Sequence, residues 1–416
     1  MKLSEELQLR GFIHQFSAAS LSEILDGPKR TIYHGIDPTA DSAHAGNMVI
    51  WMLLRHLAHN GHTVIFLVGG GTGMIGDPKP DAERTLQSEE MIEHNVSKIR
   101  EQAERLIGTD TNAITFVNNK DWLQKLDLIS FLRDIGKHFT VNELIKKDAI
   151  AKRLESDNGI SYTEFAYPLL QGYDYLELHT SRGCDVQVGG SDQWGNIVAG
   201  VDLVRRKEQH TVYALTVPLI IDKATGKKFG KSEGNAVWLD AEKTSPYQFY
   251  QFWLNASDES VIDYLKLFTF LSLLEIETIA REFSANPGSR SAQKILAKEV
   301  TAFVHGAETA RLVEEATQIL FGEGPITLLT EESKKTLLEN APNTPVAAKM
   351  ALIDALVASG LASSKREART FIASGAISLN GEIVTDEQYA LKESDAILNV
   401  ALLRRGKKQF SVLSFS

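Results

Sequence analysis

Hydrophobic positions in the first half of the chain form short continuous runs that alternate with longer stretches of helical periodicity. The runs are rich in β-branched and aromatic side chains, which is typical of buried strands. The stretches between them repeat apolar residues every three or four positions, as one face of a helix does. The predicted strands are Thr31–Ile36, Thr63–Val68, 114–117, 184–188 and 211–214. The predicted helices are Met48–His59, 89–106 and 194–206.

This alternation predicts an α/β fold with a Rossmann-like, doubly wound and mostly parallel sheet. In such sheets the ligand lies at the carboxyl ends of the strands. Residues 126–180 interrupt the alternation with helix-dominated sequence, which we interpret as a helical insertion. From Pro246 to residue 321 the pattern is purely helical, with a break at 285–288, and a stretch rich in Pro, Gly, Thr and Asn follows.

The last part of the chain returns to a mixed pattern and ends in an alternating strand, Gln409–Phe415. The prediction is therefore a chain of several domains that ends in a small α+β domain. The predicted boundaries are a Rossmann-like domain at 1–221, a loop and linker at 222–245, an all-helical domain at 246–321, a second linker at 322–348 and the α+β domain at 349–416.

Composition is that of an ordinary globular protein. The 416 residues are 43% hydrophobic and 24% charged, which excludes disordered, collagen-like and coiled-coil classes. No apolar run is long enough to predict a membrane span. A single cysteine, Cys184, rules out a disulfide framework, and no early segment resembles a signal peptide. We therefore expect a reducing, cytoplasmic location.

The net charge of -10 argues against a nucleic-acid partner only when it is averaged over the chain. Residues 349–416 carry nine basic against seven acidic residues, a net of +2, so the remainder carries -12. The basic residues cluster at 365–369 and 404–408. Such clusters can neutralise phosphates, but a solvated helix face and a frayed tail explain them equally well from charge alone.

A glycine-rich loop follows the strand Thr63–Val68 and contains Gly71-x-Gly73-x-x-Gly76, the spacing of a dinucleotide fingerprint. The following residues, Asp77-Pro78-Lys79-Pro80, stop a helix, whereas a pyrophosphate site needs a helix amino terminus there. No Gly-Lys-Ser/Thr ends the run, so it is not a Walker A loop. The glycines therefore indicate close approach of a small ligand, or turn formation only.

Two further loops carry groups suited to phosphate. His44-Ala45-Gly46-Asn47 lies between a strand and a helix, where an imidazole and exposed backbone N–H groups attract anions. Taken alone, His44 is better explained as a structural cap than as a catalytic group. The second loop, 227–234, carries lysines around a glycine, and flexible lysines can neutralise charge that develops on a triphosphate. A basic surface turn is its simpler explanation.

Two other features are given structural interpretations. His56, His59 and His62 are closely spaced, but no Cys or acidic partner completes a tetrahedral metal site. Cys184 begins a buried strand and lacks a neighbouring base, so it is interpreted as core packing rather than as a nucleophile.

The two loops, in this order in an α/β domain followed by helices, resemble the signature motifs of class I aminoacyl-tRNA synthetases, commonly written HIGH and KMSKS. Here they are HAGN at 44–47 and KFGKS at 228–232, and both depart from the consensus. YHGIDPTADS at 33–42, TEFAYPLLQGYD at 163–174 and GGSDQWGN at 189–196 resemble the tyrosine-specific bacterial members of that family. The segments at 363–369 and 375–381 resemble an S4-type RNA-binding fold, which favours the phosphate interpretation of the basic clusters.

The resemblance implies a tyrosine--tRNA ligase. Such an enzyme joins L-tyrosine to the α-phosphate of ATP, releases pyrophosphate and passes the tyrosyl group to the 3′ end of its tRNA. The tyrosine carboxylate is the attacking group, so catalysis is expected to rest on positioning and electrostatics. The implied partners are L-tyrosine, ATP with Mg²⁺, tRNA and a second copy of the chain in a homodimer. No metal held by the protein itself is expected.

The resemblance also assigns roles to individual residues. The implied catalytic residues are Thr39, His44, Asn47, Arg84, Lys228, Lys231 and Ser232, with Lys79 a doubtful substitute for a mobile-loop lysine of the family. Tyrosine binding is implied for Tyr33, Asp37, Asp77, Tyr167, Gln171, Asp174, Gln187 and Gln193. ATP binding is implied for Gly35, Gly46, Gly190, Asp192 and Lys231. tRNA binding is implied for Lys365, Arg366, Arg369, Arg404, Arg405, Lys407 and Lys408.

Two alternative functions stay open. A tryptophan-specific enzyme shares the fold, but indole has no phenol oxygen for Tyr33 and Asp174 to bind. A buried donor and acceptor left unpaired would each cost on the order of 1 to 3 kcal/mol, so this pair favours tyrosine. The other alternative is an RNA-binding protein that has lost the activation reaction, against which the retained His44, Asp77 and signature lysines argue.

Overall fold

The computed structural model describes residues 1–78, 85–108, 113–155, 159–221, 223, 226, 229, 231–232, 235–321, 325–406 and 409–415, with backbone alone at 148, 149, 231, 232 and 235. The chain divides into two compact units. The first comprises Met1–Asp240 and Ala256–Ala292, and the second comprises Ala241–Asn255 and Gln293–Ser416. The helical stretch at 246–321 thus contributes to both units. The domain boundaries drawn from the sequence stay a prediction.

The first unit is built on a mostly parallel sheet. Its strands lie in the order β1-β6-β5-β2-β3-β4, and only the pairing of β1 with β6 is antiparallel among them. The strands are β1 (Gln15–Phe16), β2 (Thr31–Ile36), β3 (Thr63–Val68), β4 (Ile114–Asn118), β5 (Cys184–Gly190) and β6 (Tyr213–Val217). The predicted parallel sheet is confirmed, although β6 begins later than the predicted 211–214.

Helices connect these strands. They are α1 (Leu3–Arg10), α2 (Leu21–Leu25), α3 (Met48–His59), α4 (Glu89–Ile107), α5 (Lys120–Leu123), α6 (Leu128–Asp134), α7 (Val141–Leu144), α8 (Asp148–Leu154), α9 (Tyr162–Arg182) and α10 (Trp194–Glu208). The predicted helix at Met48–His59 is confirmed to the residue. Between β4 and β5 the described chain carries the helices α5 to α9. That these helices form an insertion stays a prediction.

Burial explains why the central strands are continuous apolar runs. In β3 every residue after Thr63 is buried, and in β6 all are buried. Strands of a parallel sheet are covered by helices on both faces, so they lose the polar alternation of an exposed sheet. By contrast, Asn343–Val346 alternate exposed and buried residues, as a strand with one covered face does.

Beyond residue 230 the described chain forms a short antiparallel pair and then helices. The pair is β7 (Lys231–Ser232) and β8 (Asn235–Ala236). The helices are α11 (Pro246–Leu254), α12 (Val261–Phe268), α13 (Leu273–Ala285), α14 (Ser291–His305), α15 (Ala307–Phe321) and α16 (Glu331–Asn340). The predicted break is confirmed: α13 ends at Ala285, and Pro287–Ser289 form a 3-10 turn.

The second unit contains a small sheet with strand order β11-β10-β12-β13-β9. Its elements are β9 (Asn343–Val346), α17 (Leu352–Ala358), α18 (Lys365–Ala373), β10 (Ile377–Leu379), β11 (Glu382–Ile383), β12 (Val400–Arg405) and β13 (Gln409–Phe415). Leu356, Ile372, Leu403 and Leu413 lie in its buried core. The strand β9 lies in the stretch predicted as a linker and pairs in parallel with β13.

Candidate active site

A cavity of about 480 Å³ opens at the carboxyl ends of β2 and β5. From β2 the chain continues to β3 and β4 on one side, and then returns to β5 and β6 on the other, so the strand order reverses here. This is the position at which α/β sheets bind ligands. The cavity wall includes most of the sequence-predicted site residues: Tyr33, Gly35, Asp37, His44, Gly46, Asn47, Asp77, Tyr167, Gln171, Asp174, Gln187, Gly190, Asp192 and Gln193.

The remaining predicted residues of this unit are placed differently. Thr39 is not part of the cavity wall, and its carbonyl accepts a hydrogen bond from Gln87 Nε2 at 3.2 Å. Lys231 and Ser232 form strand β7, of which the backbone alone is described. Lys79, Arg84 and Lys228 lie outside the described residues.

One end of the cavity is buried and centred on Asp174. Its carboxylate accepts hydrogen bonds from Trp122 Nε1 at 2.7 Å and from Asn119 Nδ2 at 2.9 Å. Burial raises the pKa of Asp174 to about 7, although both hydrogen bonds oppose that rise. A carboxylate has about four acceptor positions, so two donors leave capacity for a ligand hydroxyl.

Tyr33 lies at the same end with its side chain only 1% exposed. Its hydroxyl has no hydrogen-bond partner within the described part of the chain. Burial, and then the charge of Asp174, hold the pKa of Tyr33 well above its usual range, so the phenol stays protonated. An unpaired buried hydroxyl costs free energy unless a ligand supplies its partner, which marks this end for a polar group on the ligand.

The other polar cluster surrounds Asp77. Gln193 Nε2 donates to one carboxylate oxygen at 2.9 Å, and Asn196 Nδ2 donates to the other at 3.2 Å. Nearby, the Tyr167 hydroxyl donates to Asp37 Oδ2 at 2.9 Å, which leaves the lone pairs of that hydroxyl as acceptors. Gln171 Oε1 is buried without a partner among the described residues. This end of the cavity is therefore rich in acceptors.

Helix α9 brings residues to both ends of the cavity. Ser161 caps its first turn by accepting from Glu164 N, and Gly183 ends it with a φ of 64°, the left-handed conformation that glycine adopts freely. Tyr167, Gln171 and Asp174 follow at spacings of four and three, so they lie on one face of the helix. The predicted run at 163–174 thus becomes one row of side chains along the cavity.

The loop at residues 44–47 forms a short 3-10 turn at the start of α3. Gly46 N donates to His44 Nδ1 at 3.0 Å, and His44 N donates to Asn47 Oδ1 at 3.0 Å. Because Nδ1 accepts, the proton of the neutral ring lies on Nε2, which becomes a donor. His44 is therefore a helix cap and also a cavity residue, so the two explanations offered by the sequence are compatible.

The glycine-rich loop binds side chains of the protein itself. Gly70 N donates to Asn118 Oδ1 at 3.1 Å and Gly71 N to Asn119 Oδ1 at 2.8 Å. A Cβ at Gly70 would lie 2.4 Å from Asn118 Oδ1, so only glycine permits this approach. The loop therefore holds Asn119, a partner of Asp174, and its fingerprint spacing does not open a helix.

Sequence reasoning missed four residues of this site. Asn119 and Trp122 support Asp174, and Asn196 supports Asp77. Lys147 Nζ donates to Gly195 O at 2.5 Å and to Asn196 Oδ1 at 3.4 Å, and burial lowers the pKa of Lys147 to about 8. Asn119 directly follows strand β4, so its place at a strand end was a usable signal. The other three are identified only by their contacts.

The basic residues of the second unit fall into two groups. Lys365, Arg366 and Arg369 are exposed on α18 and are called the basic face here, with Lys365 paired to Asp354 Oδ1 at 2.6 Å. Arg404 and Arg405 are half-buried: Arg404 Nη2 donates to Leu320 O at 2.7 Å, and Arg405 Nη1 donates to Leu361 O at 2.6 Å. Lys407 and Lys408 lie outside the described residues.

The histidines that the sequence marked as a weak metal motif have other partners. His56 packs edge-on against Phe12 at 5.5 Å between ring centroids. His62 Nδ1 accepts from Arg30 N at 3.2 Å. Among the residues that the structure describes, no group of three or more His, Cys, Asp or Glu side chains could hold a metal ion. Cys184 is buried, and burial raises the pKa of its thiol far above the usual range.

Chemically, the cavity combines a buried phenol and carboxylate, an acceptor-rich cluster and a strand-to-helix turn with an imidazole donor. None of these groups is arranged as a nucleophile with its base. The site is suited to hold a polar ligand at several fixed points and to offer donors to an anion. Within the described ranges, every helix is too short or too polar to span a lipid bilayer.

Comparison with known proteins agrees with this architecture. Residues 26–322 match the family described as "tRNA synthetases class I (W and Y)", and residues 333–413 match the "Tyrosine--tRNA ligase SYY-like C-terminal domain". The first match spans well over half of the chain. The fold and the site define a class I tRNA synthetase, and the chain belongs to this family.

Full-length relatives narrow its place within the family. The chain is 49% identical to the tyrosine--tRNA ligase of Streptococcus mutans and 47% identical to that of Lactococcus lactis subsp. cremoris, with all of both chains covered in each case. It therefore falls among the tyrosine--tRNA ligases. A C-terminally truncated mitochondrial tyrosyl-tRNA synthetase of Aspergillus nidulans has a similar structure, with a TM-score of 0.69 and 31% identity over 77% of this chain and 94% of that one.

Proposed function

We propose that the chain, which has tyrosine--tRNA ligase activity, activates L-tyrosine with ATP in the cavity between β2 and β5 and then transfers it to tRNA. Two groups at the closed end of the cavity carry this proposal. One is the buried hydroxyl of Tyr33, which has no partner among the described residues, and the other is the buried carboxylate of Asp174. The following roles are assigned to the described residues.

The closed end recognises the phenol hydroxyl of the substrate. That hydroxyl donates to Asp174, whose remaining acceptor positions are unfilled by Trp122 and Asn119, and accepts from the Tyr33 hydroxyl. A phenylalanine side chain leaves both groups buried and unpaired, at a cost on the order of 1 to 3 kcal/mol each. Indole lacks the oxygen that satisfies both groups, so the same pair disfavours tryptophan.

The acceptor-rich cluster binds the substrate ammonium group. An ammonium has three N–H donors, and Asp77, the Tyr167 oxygen and Gln171 Oε1 offer three acceptors. Gln193 and Asn196 orient the Asp77 carboxylate by donating to both of its oxygens. Asp37 fixes the Tyr167 hydroxyl, and Thr72 Oγ1 donates to the other Asp37 oxygen at 2.7 Å. Gln187, on β5 opposite Tyr33, lies in the same wall.

ATP binds toward the loop at 44–47 and the turn after β5. The Nε2–H of His44 and the backbone at Gly46 face the phosphates, while Gly35, Gly190 and Asp192 accommodate the nucleoside. Asn47 replaces the second histidine of the usual motif, and its Nδ2 group supplies the donor because Oδ1 accepts from His44 N. Thr39, Arg84, Lys228, Lys231 and Ser232 keep their sequence-based phosphate roles as part of this proposal.

Magnesium accompanies ATP in this proposal, since Mg²⁺ is usually held by substrate phosphates and few protein oxygens. It would neutralise phosphate charge as pyrophosphate departs. The residues above position the tyrosine carboxylate and the leaving group; none forms a covalent bond to the substrate.

The carboxyl-terminal sheet with α17 and α18 is proposed to be an S4-type RNA-binding domain that holds the tRNA. Its support is the basic face, whose Arg366 and Arg369 are exposed and form no ion pair within the described residues. Arg405 adds a guanidinium stacked on the Phe371 ring at 4.6 Å, beside α18. Arg404, Lys407 and Lys408 are retained in the proposed tRNA-binding set as sequence-based members.

A homodimer formed through the helical insertion and a cytoplasmic location complete the proposal. Support for the dimer is an unusual density of exposed apolar side chains on the insertion, since large exposed apolar patches mark interaction sites. These side chains are Leu128, Ile129, Leu132, Val141, Ile145, Leu154 and Tyr162. Sedimentation equilibrium, with Ile129→Lys as the disrupting variant, tests this part.

The experiment that tests the function as a whole is amino-acid-dependent exchange of pyrophosphate into ATP with all twenty amino acids. The expected result is exchange with tyrosine and background levels with phenylalanine and tryptophan. Exchange with tryptophan would favour the sister enzyme of the same fold. Absence of exchange with every amino acid would leave only an RNA-binding role.

A further inference from the structure

The connection between β6 and β8 contains the motif at 228–232, and two of its described residues contact helix α12. Lys223 N donates to Ser260 Oγ at 3.3 Å, and Lys223 Nζ pairs with Asp263 Oδ2 at 2.5 Å. Further along, the Phe229 ring lies 4.8 Å from the Tyr264 ring and 5.3 Å from the Phe268 ring between centroids. We call Phe229, Tyr264 and Phe268 the aromatic clasp.

Apart from the contact with Asp263, these contacts fall on one face of α12 and of Ser260, the residue that caps it. Tyr264 and Phe268 are one turn apart, and Ser260 precedes Tyr264 by another turn, so one row of side chains meets the connection. The Phe229 ring is stacked on Phe268 with an angle of 26° between the planes. The Lys223 pair is surface-exposed and therefore contributes little, so the clasp is the stronger of the two attachments.

The backbone of Phe229 faces the other signature loop. Phe229 N donates to Ile220 O at 2.9 Å, and a Cβ placed on Gly46 would lie 3.3 Å from the Phe229 carbonyl oxygen. Phe229 is also part of the cavity wall. One residue thus touches α12 with its ring and the loop at 44–47 with its main chain.

Helix α12 is itself fixed within the first unit. Tyr264 and Phe268 are 3% and 0% exposed. The buried Arg10 side chain donates to Lys266 O at 3.2 Å and to Leu271 O at 2.8 Å, which satisfies carbonyls where the helix ends. Phe270, two residues after α12, packs against His56 of α3, the helix that begins at the 44–47 loop. Tyr264 and Phe268 are therefore held in the same compact unit as that loop.

We propose that Phe229 is a positioning residue, whose ring, held by Tyr264 and Phe268, sets where the motif lysines stand relative to His44 and Gly46. In the sequence Phe229 lies between Lys228 and Lys231, so we expect its attachment to α12 to act on both lysines. This inference rests on the proposed function, in which those lysines meet the departing pyrophosphate. Charge stabilisation of this kind depends on placement, and a small displacement is costly.

The test is Phe229→Ala in the full-length protein, followed by tyrosine-dependent exchange and by the reverse reaction with pyrophosphate. We expect kcat for exchange to fall about tenfold and KM for pyrophosphate to rise by a similar factor, because the ring no longer packs against Tyr264 and Phe268. KM for tyrosine should stay within about twofold, since the clasp touches neither Tyr33 nor Asp77. Phe229→Leu, which keeps apolar bulk, should have a kcat and a KM for pyrophosphate between those of the unmodified protein and those of Phe229→Ala.

Two further measurements separate positioning from simple loss of stability. Phe116→Ala removes another half-buried ring of the same unit, on strand β4. It should leave KM for tyrosine and KM for pyrophosphate unchanged while its thermal stability is comparable to that of Phe229→Ala. Tyr264→Leu should lower kcat in the unmodified protein but add little in the Phe229→Ala background, because the rings act as one clasp.

Each outcome has a defined meaning. The proposal is wrong if Phe229→Ala leaves kcat and KM for pyrophosphate unchanged. It is also wrong if the double variant lowers kcat by the product of the two single-variant factors, because the rings would then act independently. Equal rises in KM for tyrosine and pyrophosphate would also contradict it. Failure of the proposed function is distinct, because then the unmodified protein shows no tyrosine-dependent exchange.

Discussion

The closed end of the cavity and the basic face of the second unit are proposed to bind their ligands in opposite ways. At the closed end, Tyr33 and Asp174 are almost fully buried, and Trp122 and Asn119 fill part of the hydrogen-bonding capacity of Asp174. On the basic face, Arg366 and Arg369 stand in solvent. The first site depends on a few exact partners, whereas the second depends on summed charge.

This difference follows from the dielectric environment. A buried polar group that loses its partner keeps its full desolvation cost, so small ligand changes are rejected strongly. Exposed cations interact through water and salt, which gives affinity with little discrimination. In the proposed function, selection of the amino acid therefore belongs to the cavity, and attraction of the tRNA to the basic face. The following variants test that division, beginning with the largest expected effect.

Asp174→Ala is expected to lower kcat/KM for tyrosine by roughly a thousandfold, about 4 kcal/mol, because it removes the phenol acceptor and leaves Trp122 and Asn119 donors unpaired. The measurement is steady-state exchange with tyrosine varied. KM for ATP should change little. Asp121→Ala, on the same helix as Trp122 but exposed, is the matched control and should be indistinguishable from the unmodified protein. Near-normal tyrosine activation in Asp174→Ala would show that the cavity is assigned wrongly.

Joint replacement of Arg366→Glu and Arg369→Glu is expected to raise KM for tRNA by about ten- to a hundredfold, with tyrosine-dependent exchange unchanged. The dependence of charging on salt should also weaken, with the slope falling by about one for each phosphate that is no longer neutralised. Lys334→Glu with Lys335→Glu on α16 makes the same charge change elsewhere in the second unit. If both double variants impair charging equally, local placement of the basic face is not what matters.

Trp122→Phe is expected to shift the pH dependence of tyrosine activation. Tyrosine binding needs ionised Asp174 as acceptor, so kcat/KM rises with pH through the pKa of about 7 and then levels off. The Trp122 hydrogen bond favours the ionised form, so its loss raises that pKa and moves the rising limb to higher pH. A pH profile of kcat/KM from about 5.5 to about 9, with about a severalfold loss at pH 7, checks this. If the rising limb of the pH profile does not shift, a group other than Asp174 controls the pH dependence.

Lys365→Gln is expected to have the smallest effect. The ion pair of Lys365 with Asp354 is largely exposed, so the free energy of unfolding, measured by thermal denaturation, should change by less than about 1 kcal/mol. KM for tRNA should rise about twofold, from the loss of one charge on the basic face. A large loss of stability would indicate that this lysine is structural and does not belong with Arg366 and Arg369.

Much of the first unit was predictable because the period of its hydrophobic pattern agrees with the burial of its side chains. The strands Thr31–Ile36 and Thr63–Val68 and the helix Met48–His59 are confirmed, since apolar runs of a parallel sheet and amphipathic helices leave unambiguous patterns. The row of Tyr167, Gln171 and Asp174 on one face of α9 also follows from helical spacing. What the pattern does not show is which side chain meets which.

The support of Asp174 illustrates the missing information. Asn119 and Trp122 come from the end of β4 and from α5, distant in sequence from residue 174, and their meeting depends on the strand order. The division of the helical stretch between two units has the same cause, since α12 is attached through Arg10 near the chain start. Charge patterns similarly could not show that the Arg404 guanidinium donates to Leu320 O.

The strand β9 has a practical consequence for any attempt to study the carboxyl-terminal sheet alone. It covers one side of β13 from residues 343 to 346, before the predicted start of that domain at 349. A fragment that began at 349 would expose a row of unpaired N–H and C=O groups along β13. Such an edge is a template for pairing with other chains, so the fragment would tend to aggregate. Beginning the fragment ahead of β9 keeps β13 paired on that side.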